Sequence, residues 1–218
     1  MLAYIVFFRT FVEKFIKHLL MKKIVLSLSL LILCTISAMS QISTYTTKIG
    51  DFKGPVKMVV SSSDHSSTVD YFNPDGTIQK TINGAQKHYI VFEWTDNAIK
   101  QTFYERANDK YLGENQLSYS KDENSFVVST SNGSYSWDFT TSTLTSKDHV
   151  NKVLFSMRNI DKTSEGYTSV VYVQNQQTSK IIVKTYDPDE YGNYTRLVTI
   201  TSDGVEHERT ISYEYYED

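Results

Sequence analysis

The 218-residue chain is 40% hydrophobic and 22% charged, the balance of an ordinary folded protein, and its 3 prolines and 9 glycines exclude collagenous or linker-like sequence. Its 22 basic and 25 acidic residues give a formal charge of −3, which excludes a global basic field for holding nucleic acid. The 16 tyrosines, 11 phenylalanines and 2 tryptophans favour strands over helices.

Residues 1–20 open with an apolar run, Met1 to Phe8, which Arg9, Glu13, Lys14 and Lys17 then interrupt. A targeting signal carries no such second run upstream of its lysines, so this segment reads as an extension ahead of a true start at Met21. Residues 21–40 have the three parts of a secretory signal: Lys22 and Lys23, an apolar run from Ile24 to Met39, and small residues Ala38 and Ser40 before Gln41. The run is shorter than the roughly 20 residues needed to cross a bilayer. Leu33 stands where a lipoprotein signal needs a small residue before the cysteine, so Cys34 is not expected to be lipidated.

Cleavage before Gln41 removes Cys34, the only cysteine, and with it disulfide and thiolate chemistry. It also leaves 17 basic against 24 acidic residues, an acidic surface that repels nucleic acid and anionic lipid. The expected product is exported, to the periplasm, the outer surface or the medium, with no stable membrane insertion and no nucleic-acid partner.

Residues 41–218 read as a single all-β domain, since period-2 alternation dominates. Strands are expected near 55–62, 67–72, 77–82, 87–94, 99–106, 116–120, 125–130, 135–140, 152–157, 167–174, 180–186, 194–201 and 206–216. Between the first two, Asp64 and His65 lie among Ser61, Ser62, Ser63, Ser66 and Ser67. Adjacency in sequence does not build a catalytic triad, and a polar hairpin loop accounts for the cluster.

Trp94 and Trp137 sit on the apolar side of alternating strands and read as core. The strand near 87–94 is apolar on both faces, through Ile90 and Phe92 on one and Tyr89 and Val91 on the other. Helical turns are conceivable only at 105–115 and 147–152. Asp75-Gly76, Asn83-Gly84, Asn132-Gly133 and Asp203-Gly204 suit type I′ hairpin turns. His88, His149 and His207 lack metal-type spacing and read as isolated surface residues.

Near the C-terminus runs Tyr186-Asp187-Pro188-Asp189-Glu190-Tyr191-Gly192-Asn193-Tyr194-Thr195-Arg196. Tyr186 ends one strand, Tyr194 starts the return, and Gly192 supplies a conformation that a side chain would resist. Asp187, Asp189 and Glu190 fall short of a calcium loop, whose twelfth position here is Val198 rather than glutamate. No metal and no cofactor are expected. Glu206, Glu208 and Glu214 share one strand parity and read as an exposed charged face.

This segment resembles the tyrosine–aspartate (YD) hairpin repeat of Rhs-type proteins, and more closely the short secreted Bacteroidetes proteins that carry isolated copies and have no known activity. The resemblance spans 180–216, with a looser copy at 67–82 through Val69-Asp70-Tyr71-Phe72-Asn73-Pro74-Asp75-Gly76. It implies stacked hairpins in an antiparallel sheet and no chemistry.

The fold expected is therefore all-β, an antiparallel meander of about 12–13 short strands forming an open twisted sheet, a two-layer sandwich or a barrel. The leading functional reading is a secreted, non-enzymatic protein presenting a binding or assembly surface to a protein or glycan, with Tyr186, Tyr191 and Tyr194 as contacts. The alternatives are a lipocalin-like barrel for an apolar small ligand and a polymer hydrolase.

Overall fold

Alternating strands joined by short turns pair with their chain neighbours, and a sheet built that way ends in two exposed edges unless its first and last strands meet. Here they meet. The computed structural model describes residues 46–64 and 66–217; the proposed extension at 1–20, the signal at 21–40 and His65 lie outside them. The strands are β1 (Val56–Ser63), β2 (Ser66–Phe72), β3 (Ile78–Asn83), β4 (His88–Trp94), β5 (Ala98–Glu105), β6 (Tyr111–Lys121) and β7 (Ser125–Thr130). They continue as β8 (Gly133–Asp138), β9 (Thr143–Asp148), β10 (Val153–Thr163), β11 (Gly166–Val173), β12 (Gln176–Pro188), β13 (Tyr194–Ile200) and β14 (Glu206–Tyr215). Each pairs antiparallel with the next, and β1 pairs with β14, so the 14 strands close into an up-and-down barrel. Among the described residues there is no helix; 106–109 and 149–152 are hairpin turns.

Each expected strand is present, but β6, β10 and β12 run well beyond the expected 116–120, 152–157 and 180–186, β6 into the segment where a helical turn is conceivable. The one strand not among those expected is β9. Its sequence, Thr-Leu-Thr-Ser-Lys-Asp, carries a single apolar residue, too little for alternation to register. Leu144 is nonetheless buried, paired with Trp137 on β8 and Met157 on β10.

Directly paired residues share a face, so the register defines the inner wall. Val59, Asp70, Thr81, Ile90 and Phe103 form one inward row from β1 to β5, and Phe126, Trp137, Leu144, Met157 and Val171 another from β7 to β11. Ile99, Phe72 and Phe126 are almost wholly buried. The tryptophans are inner-wall residues as expected: Trp137 is buried, and Trp94 donates its indole N–H to the Ile78 carbonyl at 2.7 Å.

The outer wall carries charge, both within strands and toward their ends. Lys57 pairs with Glu214 at 2.5 Å, Lys100 with Glu114 at 3.1 Å and Arg196 with Asp187 at 3.3 Å. Val170 and Val198 are buried although they face outward. Each is flanked in register by long charged side chains, Arg158 and Lys180 for the first, Lys184 and Glu208 for the second, whose stems lie over it.

The turns correct one expectation. Asn83-Gly84 and Asn132-Gly133 are not type I′, since neither asparagine has a positive φ. The Gly84 N–H is engaged by the Ser67 carbonyl of β2 at 2.6 Å, which draws that loop toward the neighbouring strand. The two-residue turn with both φ values positive is Gln174-Asn175, at 49° and 64°, between β11 and β12.

The glycines of Asp75-Gly76 and Asp203-Gly204 do reach the left-handed region, at 79° and 83°, but their aspartates do not. The turns at 73–77, 189–193 and 201–205 share one geometry. The first carbonyl accepts the fourth residue's N–H, and the first N–H donates to the fifth carbonyl. That is a type I turn closed by a left-handed glycine. The two segments compared above with YD repeats thus make the same turn.

Candidate functional site

In an up-and-down barrel alternate turns lie at alternate ends. One end carries the turns leading out of β2, β4, β6, β8, β10 and β12, together with the start of β1 and the end of β14. Residues 46–55 run across this end as a strap. Thr47 N–H donates to the Gly76 carbonyl at 2.9 Å, and the Lys48 ammonium donates to the Glu123 carbonyl at 2.6 Å while lying 4.5 Å over the Phe139 ring. Asp51 approaches Lys162 to 3.9 Å. Phe52 inserts its ring edge-on between Phe72 and Tyr213, at centroid distances of 6.0 and 5.7 Å.

The strap is fastened by Asn193, which is only 4% exposed. Its Oδ1 accepts the Lys53 N–H at 2.7 Å and its Nδ2 donates to the Lys53 carbonyl at 2.8 Å, copying a strand pairing with a side chain. Nδ2 also donates to the Tyr215 hydroxyl at 2.7 Å. Asp189 accepts N–H groups from Tyr191 at 3.0 Å and Asn193 at 2.8 Å, and the Tyr215 hydroxyl. Burial works to raise the Asp189 pKa, but these donors outweigh it and hold the carboxyl below its ordinary 3.8. Burial and the Asp189 hydrogen bond push Tyr215 up to about 12.

The three tyrosines singled out by the sequence do not converge on one platform. Tyr186 lies on the outer wall with the Arg196 guanidinium 4.2 Å over its ring. Tyr191 is 40% exposed and packs on Tyr215 at a centroid distance of 4.2 Å, closing over Gly54 of the strap. Tyr194 donates its hydroxyl to the Ser164 carbonyl at 2.9 Å. Asp187 pairs with Arg196, so the acids of this turn are engaged within the protein or point to solvent. The serine cluster forms the β1–β2 hairpin, with Ser63 opposite Ser66.

The opposite end has a different character. Its inner wall is polar along β1, β2, β13 and β14, through Ser61, Thr68, Thr199, His207 and Arg209. Arg209 belongs to the inward row Thr185–Leu197–Arg209 and shares strand parity with Ile211, Tyr213 and Tyr215. It is nevertheless exposed, as is Asn115, which pairs with Gln101 on the inner face of β6. An inward residue that stays exposed lines space open to solvent. The wall from β10 to β13 is mixed: Met157, Val171, Ile181, Val183 and Leu197 turn inward, and so do Asn159, Ser169, Thr185 and Thr199.

His149 and His207 are exposed, in line with the surface reading, His207 on the inward face of β14; His88 corrects it, half-buried against Phe103 with ring centroids 5.9 Å apart. The odd positions of β14 were legible as one face of a strand whose even positions are Glu206, Glu208, Thr210, Ser212 and Glu214. Nothing in sequence marked Asn193 as the fastening residue.

A shallow groove of about 430 Å³ lies at β5–β6–β7, lined by residues that include Asn97, Gln116, Ser118, Ser129 and Ser131. Its lining holds no acid, histidine or lysine to move a proton. Comparison of the chain with protein families, with curated proteins and with solved structures finds no match.

Proposed function

We propose that this protein is an exported, non-enzymatic β-barrel cup that holds a small molecule of apolar character, loaded through the end opposite the strap. The observation that carries this reading is the asymmetry of the two ends. One is covered by residues 46–55 and the aromatic ring of Phe52, while at the other inward positions such as Arg209 and Asn115 stay exposed. The inward Met157, Val171, Ile181, Val183 and Leu197 supply apolar surface for a hydrocarbon body, interspersed with Ser169 and Thr185. The outward Lys100–Glu114 ion pair within β5 and β6 argues for an aqueous compartment, since a lipid-facing barrel presents an apolar band along its strands. Export rests on residues 21–40, and N-terminal sequencing of protein from its native host should begin at Gln41.

Adjacent residues on β12 provide the test. Ile181 faces inward and Ile182, 42% exposed, faces outward. The full chain should bind the neutral fluorescent probe N-phenyl-1-naphthylamine saturably, Ile181→Arg should abolish that binding, and Ile182→Arg should leave it intact. Absence of probe binding in the wild type, or equal effects of the two variants, overturns the cup. Function would then return to the exterior, where Tyr186, Tyr191 and Tyr194 are the contacts for a protein or glycan.

A further inference from the structure

The interior is not uniformly apolar, and its polarity is organised. On the inner wall, hydroxyl-bearing residues of β1 and β2, Ser61 and Thr68, lie to one side of Arg209, and Leu197 is paired beside it on the other. Arg209 makes no ion pair and no side-chain hydrogen bond among the described residues, whereas on the outer wall Arg196 is held by Asp187 at 3.3 Å and Glu208 at 3.8 Å. Glu208 and Glu214 are on β14 itself, but the pleat turns them outward, away from Arg209. A guanidinium on the inner wall that pairs with no carboxylate among the described residues retains five N–H donors in a fork that matches an oxyanion.

Its charge acts inside the same compartment. Burial and the Asp51 carboxylate raise the pKa of the inward Tyr167, and Arg209 opposes them.

We infer that Arg209 is the anchor for the anionic head of an amphipathic ligand, whose apolar chain lies along Leu197, Val183 and Val171 while the hydroxyls of Ser61 and Thr68 take the remaining oxygens. The inference rests on the cup reading and adds a ligand class to it: a single-chain amphiphile ending in a carboxylate or a phosphate. Arg209 is a binding group in this reading, since a guanidinium stays protonated and moves no proton.

The experiment is competition against N-phenyl-1-naphthylamine on the full chain, with dodecanoate, monododecyl phosphate and dodecanol as competitors below their micellar concentrations. Both anions should displace the probe roughly tenfold better than dodecanol, the strength of a charge-assisted hydrogen-bonded pair open to water. The ratio of dodecanoate to monododecyl phosphate reports which head the site favours. Arg209→Gln should bring the anions level with dodecanol when each is scored against probe bound to that same variant, and Arg158→Gln on the outer wall should preserve the preference.

Probe binding without preference for the anions, or a preference that survives Arg209→Gln, overturns the anchor and leaves the cup standing. Failure of the wild type to bind the probe overturns both.

Discussion

Asn193 combines two roles that a single side chain seldom holds, ending a hairpin turn and pairing like a strand with the strap backbone. Its replacement by alanine removes the partners of the Lys53 N–H and carbonyl and one partner of the Tyr215 hydroxyl. Leaving buried polar groups unpaired costs about 1–3 kcal/mol each. Asn193→Ala should therefore lower the melting temperature and expose residues 46–55 to limited proteolysis at a temperature where the barrel stays folded. A variant whose strap resists protease like the wild type would show that Phe52 and Lys48 hold it unaided.

The Tyr215–Asp189 pair makes a second residue-scale prediction, in pH. The Asp189 carboxyl is held below its ordinary value, so its contribution is present above about pH 4 and fades as pH falls through the folded-state value. Tyr215 is raised to about 12, so its contribution is intact below the unfolded value near 10 and is lost between there and about 12. The melting-temperature gap between wild type and Tyr215→Phe should be widest on the plateau between these limits and should narrow on both sides. A gap independent of pH would mean that the ring, through Tyr191, carries the stabilisation.

At the scale of single elements, the β12–β13 hairpin turns on Gly192, whose φ of 81° lies in the left-handed region. A Cβ there would meet only the tip of the Lys53 side chain, at 3.4 Å, so Gly192→Val is opposed by backbone conformation rather than by crowding. The expected loss is about 1–2 kcal/mol, more for a β-branched residue. Glu190→Gln at an exposed position of the same turn should leave the melt unchanged. Gly54 makes a useful contrast, because it has both a φ of 76° and the Tyr191 ring 2.5 Å from a Cβ. Gly54→Ala should loosen the strap more than Gly192→Val does, as read by proteolysis of residues 46–55. The reverse order would mean that the turn, and not the ring packed over Gly54, sets the docking.

For the whole molecule, the decisive contact joins β1 to β14, the strands farthest apart in the chain. A chain ending at Asp203 lacks β14 and so exposes two unpaired edges, on β1 and β13, and loses Tyr213 and Tyr215 from beneath the strap. Open edges template intermolecular pairing. The truncated chain should elute as oligomers or aggregates in size-exclusion chromatography and lose the cooperative melt. A monodisperse, cooperatively melting truncation would show that the remaining sheet closes or folds over without its last strand.

Much of this architecture could be read from local pattern. Alternation in segments such as Tyr135–Asp138 and Thr210–Tyr215 announces strands, and glycine after an acid in the turns at 75–76 and 203–204 announces reversals, because side-chain period and backbone φ are properties of a few consecutive residues. Those same rules missed β9, whose polar sequence becomes a strand through hydrogen bonds lent by β8 and β10, and they misassigned Asn83-Gly84, where Ser67 on another strand decides the loop.

The site was less legible than the fold. The odd positions of β14 could be placed on one face from sequence, but not on the inside, because inside and outside exist only once the sheet closes. Closure, the strap and the space around Arg209 all depend on contacts such as Lys53 with Asn193, separated by 140 residues. Local chemistry determined most of the segments that became strands; which strand met which across the seam, and therefore which face turned inward, was decided by long-range pairing alone.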